Sequence, residues 1–247
     1  MKKILISLVA LILLITAGTL GYLYLSLNGF VKKQVETVGP RITRTSVSLD
    51  SAILSPFSGN GKLMGLIIGN PEGFTHSAAL KAPGISISVD KKSLLSRTIV
   101  INEILISRPE IFLEGTLTGT NLMKLIGNIK GYGGSGQERK GDQNSPRKYI
   151  VKRVLITAPR LNVSASLLKA NIGQTVPLSD ISLNNVGSDG SGISAAELSV
   201  QIMVPLLTNA LREGVTFVTK QGIQTIQQEG INQINKAVQG ISDFFKK

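Results

Sequence analysis

The residues able to do chemistry are few and scattered. The single histidine, His76, follows Phe74 in a turn-like stretch whose nearest acid is Glu72. A lone His needs an orienting acid and a nucleophile on a sharp strand-to-helix turn before it can activate a serine, and no Gly-x-Ser-x-Gly element occurs. Cysteine is absent, which removes disulfides, zinc-thiolate sites and thiol catalysis together. Carboxylates number fifteen, and Glu72, Asp90, Glu103, Glu110 and Glu114 fall singly. Hydrolysis by paired carboxylates needs two within about 5–10 Å, and nothing in the spacing suggests such a pair. Gly131, Gly133, Gly134 and Gly136 form a glycine-rich run, but no Gly-Lys-Ser/Thr follows it in a strand-loop-helix context, so it does not read as a phosphate cradle. The expectation is a protein that is not an enzyme and takes no cofactor and no metal.

What the chain offers instead is apolar surface. Ile4 to Leu25 run for 22 residues without a charge. A helix of that length rises roughly 33 Å, enough to cross a hydrocarbon core of about 30 Å. No small-x-small cleavage signal stands between Leu20 and Phe30 to match a short signal h-region. Residues 1–27 are therefore read as a retained transmembrane anchor, and the protein as a single-pass inner-membrane protein with the bulk of its chain in the periplasm. The net charge of +12 invites a nucleic-acid reading. The basic residues, however, are spread from Arg41 to Lys247 and the aromatics form no stacking array, so anionic lipid headgroups are the more economical partner and no nucleic acid is expected.

The elements beyond the anchor follow from periodicity. Asn28 is placed to cap a short helix carrying Phe30, Val31, Val35 and Val38, closed by Pro40. From Thr43 to Leu113 the period changes to two, with Val47 and Leu49, then Ile85, Ile87 and Val89, alternating with polar residues. Turn residues at Gly59-Asn60-Gly61, Gly69 to Gly73, Ala82-Pro83-Gly84 and Arg108-Pro109 separate the strands and predict an antiparallel meander with one apolar face. Asn121 to Ile129 reads as a short helix. The polar stretch 131–148 reads as a disordered loop. Strand pattern resumes over 149–190, where a basic strand, a turn at Pro159 and another strand repeat the logic of the first block. Residues 191–247 read as amphipathic helices, opened by a capping box at Ser194 and Glu197 and kinked or divided at Pro205.

The stretches RITRTSVSLDSAILSPFSG, KLMGLIIGNPEGF, LKAPGISISVDKKSLLSRTIVINEILISRPEIFLE and GTLTGTNLMKLI, taken in order, resemble the start of AsmA-like proteins. The resemblance covers Val35 to Ile126. It rests on the turn Gly69, Asn70, Pro71, Glu72, Gly73 and Phe74, the Leu94-Leu95 pair, the Arg108-Pro109 turn and the Leu113-Glu114 strand. VPLSDISLNNVGSDGSGISAAEL is similar to segments of small AsmA-like proteins. The resemblance implies an α+β fold: an elongated, curved antiparallel sheet forming a groove lined by aliphatic residues, related to chorein-type bridge proteins, with short helices and carboxy-terminal amphipathic helices. On that reading 28–130 is the groove module and 149–190 continues its sheet. It also implies a role in handling phospholipid in the cell envelope and in outer-membrane homeostasis. Strands about 4.8 Å apart would extend this short chain only about 40 Å, too little to bridge two membranes alone.

Two expectations follow. In one, acyl chains lie along Ile67, Ile85, Ile87, Val89, Ile99, Ile101, Ile104 and Ile106. In the other, the protein is a non-catalytic envelope scaffold acting through contacts with other envelope proteins or with itself, by way of its carboxy-terminal helix. Ile99 to Ile106 is apolar in both strand phases, so sequence leaves its inward face open.

Overall fold

A computed structural model of the protein describes residues 27–116, 119–134, 147–167 and 170–244. One sheet holds β1 (Val47–Ser48), β2 (Ser51–Ser55), β3 (Asn60–Gly69), β4 (Ala78–Val89), β5 (Thr98–Ser107), β6 (Glu110–Thr116), β7 (Gly119–Thr120), β8 (Lys148–Thr157), β9 (Arg160–Leu167), β10 (Ala170–Pro177) and β11 (Ile181–Val186). The helices are α1 over residues 27–43, α2 (Asn121–Gly134) and α3 (Ala195–Phe244), and a 3-10 turn, Lys91–Leu95, joins β4 to β5.

Most of these strands are halves of longer ones. β5 and β6 meet β4 in a common register, Ser107 opposite Gly84 and Glu110 opposite Lys81, so 98–116 is a single strand bent at Arg108-Pro109. β8 and β9 bend likewise at Ala158-Pro159, β10 and β11 between Pro177 and Ile181, and β1 and β2 at Leu49-Asp50. Extending these registers puts Asp50, Gly65, Pro83, Arg108, Ala158 and Ser179 on one line across the sheet. Gly65, Arg108 and Ala158 on this line have φ of 64°, 50° and 47°, and Pro83 brings no N–H to it. The sheet is therefore creased along its middle.

Hydrogen bonding carries through the crease. The Arg108 N–H donates to Thr157 O at 2.8 Å, Arg160 N–H to Pro109 O at 2.9 Å and Leu178 N–H to Pro159 O at 2.9 Å. The Asp180 carboxylate accepts the Ala158 N–H at 2.7 Å. A left-handed residue thus turns the β5–β6 and β8–β9 strands without stranding their polar groups.

The expected meander is corrected to a mixed sheet. β5 runs parallel to β8 and β6 to β9, from Thr98 beside Lys148 to Gly115 beside Ala165, a constant offset of 50 residues. Parallel neighbours need a crossover of a dozen or more residues, and the connection through α2 supplies it.

Along the bent strands Ile101, Ile104, Ile106, Ile111 and Leu113 lie on one buried face with their parallel partners Val151, Val154, Ile156, Leu161 and Val163. α2 covers this face with Leu122, Leu125 and Ile129, and α3 with Leu206, Leu207 and Ala210. α3 starts on the expected capping box: Ser194 N–H donates to Glu197 Oε2 at 2.8 Å and Glu197 N–H to Ser194 Oγ at 3.2 Å. It then continues through Pro205 as one helix of 50 residues, where more than one was expected.

Asn28 lies inside α1 rather than capping it, and Pro40 does not end the helix. Its carboxamide oxygen accepts the Leu54 N–H at 2.9 Å, and two turns on Glu36 accepts the Leu49 N–H at 3.1 Å and Lys32 Nζ at 2.8 Å. Asn28, Lys32 and Glu36 share one helix face, and that face covers the β1–β2 edge of the sheet.

The expected transmembrane helix, placed at residues 1–27, falls almost wholly outside the described residues. Among the described residues no helix is long and apolar enough to cross a membrane. α3 has the length, but it carries Glu, Arg, Lys and many Gln residues. The fold is thus a sheet-rich α+β fold without a transmembrane helix among its described elements, and the single-pass inner-membrane placement with a periplasmic bulk is not supported. The stretch expected to be a disordered loop, 131–148, contributes the last turn of α2 and the first residue of β8, and 135–146 lie outside the described residues.

Candidate functional site

The aliphatic residues expected to line a groove are brought together by the sheet. Ile85, Ile99, Ile101, Ile104 and Ile106 are buried members of the central core, while Ile87 and Val89 are partly buried and pack against it. Ile67 stands apart: it pairs with Lys81 on the outer face, whereas its neighbour Ile68 joins the core. The double phase of Ile99 to Ile106 is resolved by a bulge, since Ser88 pairs with Glu103 but Val89 with Ile101. The extra residue lets Ile101 and Ile104 face the same way.

The cover on this face is uneven. Near the crease and beyond it Leu80, Ile111, Ile156 and Leu161 are sealed by the helices, and Gly214 lets α3 press close, because a Cβ there would strike Leu113 and Leu161. Toward the end bearing the β2–β3 and β4–β5 connections, Leu63, Ile87 and Val89 keep part of their surface exposed. The inner face is thus a closed core over most of its length and a thinly covered trough at one end.

The family-motif turn performs a different task. Glu114 accepts the N–H and Oγ1 of Thr75 at 2.7 and 2.6 Å on one oxygen, and the His76 N–H and Asn70 Nδ2 at 2.8 and 3.1 Å on the other. Asn121, fully buried, donates to Asn70 Oδ1 and Phe112 O, each at 2.7 Å, and accepts the Glu114 N–H at 2.9 Å. Burial pushes the Glu114 carboxyl up, but the hydrogen bonds from Thr75 and His76 and the nearby His76 charge outweigh it and hold the group below the ordinary carboxylate value. With two donors on each oxygen, Glu114 is engaged as a structural acceptor rather than poised as a base. The rest of the motif forms the turn itself: Gly69 N–H donates to Ser46 O at 2.7 Å, Pro71 is buried, Gly73 takes φ of 91° and Phe74 is half-buried.

His76 stacks on Phe112, with ring centroids 4.3 Å apart, and Lys81 Nζ lies 5.3 Å over the same ring. Beside them is a hollow of about 380 Å³ that includes Asn162 and Thr175. A larger cleft, about 900 Å³, lies between β11, the 187–193 turn and Val200 to Pro205 of α3. Among the described residues no group of three or more His, Asp or Glu is placed to hold a metal. Sequence reasoning missed the Asn70–Glu114–Asn121 network, although an Asn at the start of α2 and another in the Gly-Asn-Pro turn were its visible signals.

No family model, curated protein or solved structure matches this chain.

Proposed function

We propose that this chain is a non-catalytic lipid-handling module of the AsmA-like kind, which takes phospholipid acyl chains onto the inner face of its creased sheet. The observation that carries the reading is the chemistry of that face where its cover thins. On this side of the crease the inward positions of β4 and β5, from Ile85 to Val89 and Ile99 to Ile106, are all Ile or Val, and Ile87 and Val89 remain partly exposed. Acyl chains need no directional partners, and a partly exposed aliphatic surface favours an apolar occupant over water. The resemblance of residues 35–126 to AsmA-like proteins supports the same reading and extends it to phospholipid handling in the cell envelope and to outer-membrane homeostasis.

The test is mass spectrometry of lipid retained by the full chain purified in mild detergent, compared with Ile87→Asp. Phospholipid near one equivalent per wild-type chain, lost in a variant with unchanged circular dichroism, supports the trough. Equal lipid in both overturns it.

A scaffold acting through protein contacts is the second reading, favoured by one observation. α1 caps the β1–β2 edge, whereas among the described residues no strand pairs with the outer edge of β10–β11, and the 900 Å³ cleft opens beside it. Unpaired strand edges recruit extended segments of other chains.

A further inference from the structure

We propose that the end of the sheet bearing Leu95 docks on the surface of an anionic lipid bilayer, inserting apolar turn tips into the headgroup region within a ring of lysine and arginine. Leu95 is 98% exposed, Phe57 67% and Phe30 58%. These belong to three separate elements, the β4–β5 connection, the β2–β3 turn and the start of α1, yet all stand at one end. The Val89 N–H donates to Gly59 O at 2.7 Å, which ties the first two elements together. The Asn28 bond to Leu54 at 2.9 Å brings the start of α1 to the same strand ends.

The charge of this end matches an anionic surface. Lys91, Lys92, Arg97, Arg147 and Lys148 are found here, Lys148 held beside Arg97 by a backbone bond of 3.0 Å. Among the described residues the acids of this end are Asp90, which already accepts the Lys92 N–H at 3.0 Å, Asp189, and Glu197, which accepts the Ser194 N–H at 2.8 Å. At the opposite end the exposed large hydrophobic residue among the described ones is Met123, 47% exposed. A wholly exposed leucine beside two lysines is poorly suited to water and well suited to the boundary of headgroups and acyl chains. Lysine stems lie along apolar surface while their ammonium groups reach phosphate. Such docking is made by side chains at turn tips and calls for no membrane-crossing helix. It also points the thinly covered trough at Ile87 and Val89 toward the lipid, although docking does not depend on acyl chains entering.

The protein contains no tryptophan, so one introduced Trp reports its own surroundings. Leu95→Trp, Phe57→Trp and Met123→Trp are made in the full chain and mixed with phosphatidylglycerol/phosphatidylcholine vesicles carrying brominated acyl chains. The expected result is a blue shift and at least twofold quenching for the first two variants, little change for the third, and loss of the Leu95→Trp quenching when Lys91→Glu and Lys92→Glu are added. Equal, weak quenching at Leu95 and Met123 overturns the proposal. So does quenching of Leu95→Trp by a single-stranded oligonucleotide but not by vesicles, which would assign the basic ring to nucleic acid. Retained lipid with an unquenched Leu95→Trp would leave acyl-chain binding standing and remove the docking surface alone.

Discussion

Arg108 and Ala158 occupy equivalent places in parallel strands 50 residues apart, and both hold left-handed backbone, with φ of 50° and 47°. A left-handed L-residue costs about 1–2 kcal/mol, while glycine's extra freedom in the unfolded chain costs about 0.4–1 kcal/mol. Ala158→Gly is therefore expected to leave stability unchanged or raise it by up to about 1 kcal/mol. Ala158→Val is expected to lower it by about 1–3 kcal/mol, because a β-branched residue tolerates this backbone least. Urea midpoints of the two variants check both directions.

Glu114 should matter by pH. Its carboxyl is held below the ordinary glutamate value, so its contribution to stability is present above that value and is lost as pH falls through the depressed folded pKa. Glu114→Gln replaces one acceptor oxygen by an amide donor, set against the Thr75 donors or against those of His76 and Asn70, and is expected to cost about 1–3 kcal/mol at neutral pH. Thermal melts from pH 7 to pH 3 should show the gap between wild type and Glu114→Gln closing below about pH 4.5. A pH-independent gap would show that the carboxylate charge is not what the network uses.

Gly214 sets how closely α3 approaches the sheet. Gly214→Val is expected to lower stability by about 1–3 kcal/mol through overpacking against Leu113 and Leu161. Leu113→Ala alone should cost about 2–5 kcal/mol by leaving a cavity. The double variant should be less destabilised than the sum of the two, and a double-mutant cycle reads that coupling directly.

Ile87 and Ile156 separate trough from core. Ile156 is fully buried, so Ile156→Asp buries an unpaired charge and is expected to unfold the domain. Ile87 is partly exposed, so Ile87→Asp should remain folded with a modestly lowered melting temperature. Circular dichroism of both variants distinguishes these outcomes.

Much of the strand content was legible because alternation of aliphatic and polar residues reports burial of one face, and the Ser194–Glu197 capping box was readable from spacing alone. The pairing of β5 with β8 was not. A hairpin partner and a parallel partner satisfy the same alternation, and only the folded crossover through α2 chooses between them. The crease escaped notice because Arg108 and Ala158 are not glycines, so nothing in their type announces left-handed backbone. Pro109 and Pro159 were visible, but they read as turns between hairpin strands rather than as bends within continuous ones. The inward face of Ile99 to Ile106 was ambiguous because the bulge beside Ile101 switches its phase. That Ile87 and Val89 keep exposed surface while Ile99, Ile101, Ile104 and Ile106 are buried is a tertiary fact that local pattern does not contain.

The central claim, that acyl chains occupy the inner face where its cover thins, is tested most directly by a photo-crosslinking amino acid placed singly at Ile87, Ser88 and Ile156 of the full chain, irradiated in cells and read by intact mass. The account expects phospholipid adducts at Ile87 and none at Ser88 on the outer face or at Ile156 in the sealed core. Absence of lipid from Ile87, or equal adducts at Ile87 and Ser88, would contradict it.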